Sequence, residues 1–153
     1  MGWDTAFDTL GVQASLPGQL GLVAQWLDGD TYWLQGTRPD GTLSPFASLV
    51  CDAFSAKFLL LTRVVHGSHR LSLRRDEFEM HREQGQPSIL SDHGDAWTLA
   101  YRYEHSAHWG GGIEWLRIDS SREPWAIFYA APKDATETEV RVQVTYRLGV
   151  AER

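Results

Sequence analysis

The chain has 153 residues, 42% of them hydrophobic and 22% charged, values close to a globular average of roughly 45–50% and about 25%. Low-complexity disorder, a collagen-like repeat and a coiled coil are thereby excluded, and one domain over 1–153 is expected. The net charge of −6 and pI near 5.4 argue against a general binder of nucleic acid or anionic membrane.

The first residues, MGWDTAFDTLG, carry two acids and no basic or apolar leader, and no apolar run reaches the length of a spanning helix. Cys51 is the single cysteine, so no intrachain disulfide forms. A cytoplasmic protein without membrane contact is the resulting expectation.

Taken in chain order, Trp3 to Leu10 reads as a short opening helix with Phe7 and Leu10 inward. Gln19 to Leu27 alternates as a strand, Asp28-Gly29-Asp30 signals a hairpin turn, and Thr31 to Gln35 returns. Ser44 then fits an N-cap and Pro45 a first helical position. Phe46, Leu49, Val50, Ala53 and Phe54 recur at helical spacing, predicting an amphipathic helix over residues 45–55. Beyond it the chain reads as strands. Lys57 to Val65 is nearly all apolar, and Arg70 to Glu83 reads as a hairpin or bulged strand. Trp97, Leu99, Tyr101, Tyr103 and His105 share one parity. Gly112 to Asp119 and Pro124 to Ala130 are further strands, and Val140 to Leu148 alternates cleanly. The expected fold is mostly β, an antiparallel barrel-like or sandwich sheet of about eight or nine strands with that one early helix packed on it.

Four of the six histidines fall in two HxxH pairs, His66/His69 and His105/His108, each after a strand. Two imidazoles three residues apart can share a divalent metal where the backbone turns between them. HExxH and CxxC, which would be far more specific, are missing, as are a nucleophile elbow, a P-loop and a GxGxxG. No catalytic residue is assigned, and no cofactor beyond that metal.

The segment SAHWGGG places His108 and Trp109 immediately before three glycines, which predicts a loop that exposes Trp109 as an anchor. The remaining strand aromatics read as core. Arg63 to Arg82 is locally basic within an acidic chain.

These features suggest three functions. The first is a non-catalytic binding protein acting through a protein–protein surface, as immunity proteins and antitoxins do, with Trp109, His108, His105, Tyr101 and Tyr103 as contact residues. The second is a small-molecule-binding β-barrel or enzyme whose aromatic cavity uses Tyr101, Tyr103 and His105. The third is a metal site at His66, His69, His105 and His108. The Val140–Leu148 strand, guarded only by Arg141 and Arg147, could pair with a second copy into a homodimer.

Overall fold

The computed structural model describes residues 3–37, 43–84, 91–123, 130 and 132–148. Seven strands form one antiparallel sheet in sequence order: β1 (Trp3–Leu16), β2 (Leu20–Thr37), β3 (Leu43–Val65), β4 (His69–Gln84), β5 (Ser91–Glu104), β6 (Trp109–Arg122) and β7 (Asp134–Tyr146). Each strand pairs with its chain neighbours, while β1 and β7 do not pair with each other, so the sheet is open. The β class and antiparallel order agree with the sequence reading. Closure into a barrel or sandwich is not observed.

The predicted helix over 45–55 lies within β3 instead, whose backbone pairs on one side with β2 (Trp33 with Val50, Leu34 with Leu49) and on the other with β4. The apolar residues there occupy both odd and even positions, which fits a strand covered on both faces as well as a helix stripe. Pairing with β2 from Ser48 onward, and with β4 as well from Cys51, decides in favour of the strand. Val50 and Cys51 record that environment: consecutive residues on opposite faces, they are 0% and 1% exposed.

The opening helix is likewise β1, paired with β2 over its whole length. Asp28-Gly29-Asp30 is mid-strand rather than a turn. A Cβ on Gly29 would collide with the Ala6 carbonyl and stand 2.7 Å from Phe7 Cβ, so glycine serves close approach of β1 here. The hairpin turns fall instead at residues 17–19 and 66–68, where Gly18 and Gln19 (φ 79° and 58°) and His66 and Gly67 (φ 52° and 73°) supply successive left-handed residues. Predicted pairs of short strands thus merge into long ones, which is why seven strands replace eight or nine. Most of the predicted strand 124–130 lies outside the described residues.

The turns at 17–19, 66–68 and 105–108 all sit at one end of the sheet, and the longer connections sit at the other. Every strand adds to a single layer, and among the described residues only Val50, Cys51, Ser120 and Ser121 are buried. The molecule exposes 11179 Å², against roughly 7,800 Å² expected from surface scaling for a compact monomer of this mass.

Candidate functional site

Register assigns every strand residue to one of two faces. One face carries Leu10 to Leu16 on β1, Leu20 to Trp26 on β2, Leu59 and Leu61 on β3, and Leu71 and Leu73 on β4. It continues with Trp97 to Tyr103 on β5, Trp109, Ile113 and Trp115 on β6, and Val140 to Tyr146 on β7, alternate residues in each case. Apart from Phe7, Phe78, Met80 and Leu148, all the large hydrophobic residues that stay exposed fall on this face, Tyr32 and Leu49 at its end away from the turns. On β7 the contrast is sharp: Val142 and Val144 are 74% and 73% exposed, while the opposite side of the same strand presents Glu139, Arg141, Gln143 and Thr145. Across the turn-side half the opposite face is polar or small on most strands, with Ser72, Arg74, Thr98, Ala100, Arg102, Glu104, Gly112 and Glu114.

The apolar patch runs obliquely. Leu10, where it begins on β1, is in line through the register with Thr136 of β7, yet on β7 the apolar run begins at Val140. Aromatic rings mark both margins. Trp26 and Trp97 stand on the side away from the turns, where Arg75 lies 5.1 Å over the Trp97 ring. Tyr101, Tyr103, Trp109 and Tyr146 stand on the turn side. Arg63, the one charged residue between the margins on β3, is three residues before the 66–68 turn. Beyond Trp26 and Trp97 the same face becomes polar, with Lys57, Glu77, Asp95, Asp119, Glu79 and His93 around a cleft of about 880 Å³.

The turn-side margin gathers the residues singled out from sequence. His69 Nδ1 and the Tyr101 hydroxyl are hydrogen-bonded at 2.7 Å, and the His69 and Tyr103 rings stack with centroids 4.7 Å apart. The Tyr103 hydroxyl meets His105 Nδ1 at 3.3 Å. His108 Nδ1–H donates to the Arg147 carbonyl at 3.1 Å, which fixes its tautomer. Trp109 is half-exposed and packs on Tyr146 at 4.6 Å. The loop is closed by Ser106, whose Oγ accepts the His108 and Trp109 backbone N–H groups. The expectation of a glycine loop is corrected here: Trp109 opens β6, and Gly110, Gly111 and Gly112 are paired strand residues. A Cβ on Gly112 would reach the Tyr101 carbonyl at 3.0 Å, a close interstrand approach.

The four histidines named as metal ligands are spread along this margin, with Tyr103 between His69 and His105 and with His108 beside Tyr146. Among the described residues the only grouping of three or more ligand-type atoms within 4.8 Å is Asp30, Cys51 and Glu83. Sequence spacing had no means of finding it, since its members come from three strands. Burial raises the Cys51 thiol above its ordinary pKa, with the Tyr32 hydroxyl hydrogen-bonded to it. Tyr101 and Tyr103 do not line an enclosed aromatic cavity. The apolar groove of about 560 Å³ lies instead between Leu10, Val12, Trp26, Leu59, Leu73 and Trp97.

Among the described residues no helix is long and apolar enough to cross a membrane. No family model matches the chain, and no curated protein or solved structure is similar to it.

Proposed function

We propose that this sheet is part of the wall of a membrane-spanning β-barrel, its apolar face against lipid and its polar face toward an aqueous interior that passes small polar solutes. The observation that carries the reading is the one-sided exposure: a single face holds nearly all the uncovered apolar side chains, and the surface exceeds that of a compact monomer by roughly 3,400 Å². An open single layer exposes both of its faces, and the apolar one is the face that calls for a medium or an apolar partner.

Four details favour lipid. Apolar runs of about seven residues on β1, β2, β5, β6 and β7 approach the nine to eleven that a tilted strand needs to cross a bilayer, while those of β3 and β4 are shorter, bounded by Arg63 and Arg75. Aromatic rings border the band at both margins, where amphipathic rings sit at the membrane–water boundary. The band's oblique course is what a belt of constant depth traces across tilted strands. Short turns at one end and longer connections at the other are the usual asymmetry of such barrels. This departs from the cytoplasmic, membrane-free expectation, which rests on the single cysteine, the character of the opening residues and the lack of a helix-length apolar run. Strands cross with about half as many residues and hide the signal in alternation. The free edges of β1 and β7 call for further strands to close the wall.

The test is fluorescence quenching after reconstitution into vesicles whose acyl chains are brominated. A tryptophan introduced by Val142→Trp should be strongly quenched and one introduced by Gln143→Trp should not. Equal quenching, or a detergent-free monodisperse protein, would overturn the membrane reading. In the second case the face is covered by protein, as the binding-protein reading requires. Trp109→Ala would then abolish capture of that partner while barely changing stability.

A further inference from the structure

On the polar face of the turn-side half, β4 and β5 place Arg70 and Arg102 directly opposite each other. Like charges in that relation repel and destabilise a sheet, so this pair is no asset to the fold. The other arginines of the region are satisfied locally. Arg74 holds Asp76 through both carboxylate oxygens. Arg141 holds Glu139 at 2.7 Å and reaches Glu114 at 3.4 Å. Arg147 holds Glu104 at 3.1 Å, and that bond together with its charge keeps the Glu104 carboxyl below its ordinary pKa.

Arg102 has only a long contact, at 3.8 Å, to the same Glu104 oxygen that Arg147 already holds. Arg70 makes no hydrogen bond or ion pair among the described residues. Two guanidinium groups thus share less than one carboxylate. Beside them Ser72, Ala100 and Gly112 carry little or no side chain, and with Gln143 they border a groove of about 730 Å³.

We infer that this groove is a binding site for a small oxyanion of the carboxylate or phosphate type, held between Arg70 and Arg102. Guanidinium forks bind such planar or tetrahedral oxygens bidentately, and an anion between the two groups removes their repulsion. The inference rests on the pore reading for its biological setting, since a site on an interior wall would favour anions over cations in passage. Its chemistry stands without that setting.

The experiment measures binding of inorganic phosphate and of acetate to the full chain in detergent by calorimetry, followed by reversal potentials in planar bilayers. Arg70→Gln and Arg102→Gln should each weaken binding by about tenfold or more, the loss of one charge-assisted contact, with circular dichroism unchanged. Arg74→Gln, whose guanidinium is already occupied, should change affinity less than about twofold. Phosphate binding without acetate binding narrows the class to phosphate, and the reverse narrows it to carboxylates. Unchanged binding in both key variants, or no binding of either anion by the wild type, overturns the site whether or not the protein conducts. Binding without any conductance leaves the site standing and removes the pore.

Discussion

One face of this sheet changes character along the length of its own strands. In the half near the tight turns β5, β6 and β7 present Leu99, Tyr101, Ile113, Trp115, Val140 and Val142. In the other half the same face presents Asp95, Asp119, Ser121, Thr136 and Asp134, and the strands continue without a break. Backbone pairing therefore takes no account of the boundary. What changes at Trp26 and Trp97 is the medium each half is suited to meet, and the two halves should answer the same insult differently.

The largest expected difference comes from charge. Leu99→Arg places a guanidinium inside the apolar band, at a cost of about 2–4 kcal/mol if that band lies at the bilayer midplane. Thr136→Arg, on the same face beyond the margin, should cost no more than about 1 kcal/mol. Urea titration of the protein folded in vesicles, followed by tryptophan fluorescence, measures both. Equal costs would mean that lipid does not distinguish the halves.

A second contrast separates glycines that hold strands together from those that merely occupy them. Gly29→Ala forces a methyl against the Ala6 carbonyl and Phe7 and should destabilise by about 1–3 kcal/mol through overpacking. Gly11→Ala, whose Cβ would find its nearest atom at 3.8 Å, should be neutral or slightly stabilising. The same unfolding measurement decides, and a harmless Gly29→Ala would show that the close approach is not required.

Glycine is also where sequence reasoning went astray. Asp28-Gly29-Asp30 and Gly110 to Gly112 carry the composition of turns, yet all six residues are paired strand residues. A glycine can mark either a left-handed turn or a close interstrand approach, and composition does not separate the two. The helix assigned over 45–55 failed for a related reason, because residues apolar at both parities satisfy two periods at once. Where only one parity is apolar the reading was sound: Trp97 to Tyr103 and Val140 to Tyr146 lie on the face that alternation assigns them. Alternation says which side chains share a face. It is silent on what that face meets, and the same alternation fits aromatics in a core as well as on an uncovered face. The Arg70–Arg102 opposition was hidden as well, since it depends on a register between two strands.

The smallest effect is electrostatic and differs in sign between two aspartates of the far half. Asp119 accepts Arg117 and the Thr136 hydroxyl, which hold its carboxyl below the usual range. Its stabilising contribution is complete above the unfolded value near 3.8 and is lost as pH falls through the lower folded value. Asp92, on the opposite face, is pushed up by burial despite the opposing pull of Arg122, and its Oδ1 is buried without a hydrogen-bond partner. The sign is reversed there: the penalty is nil below 3.8 and grows as pH rises through the higher folded value. Asp119→Asn should therefore lower stability at pH 7, while Asp92→Asn should raise it; toward pH 3 the Asp92 difference should vanish and the Asp119 difference should begin to shrink. Thermal unfolding in detergent at the two pH values reads the signs directly. A destabilised Asp92→Asn at pH 7 would mean that the attraction of Arg122 outweighs burial, and that the carboxylate is held as an ion on the polar face.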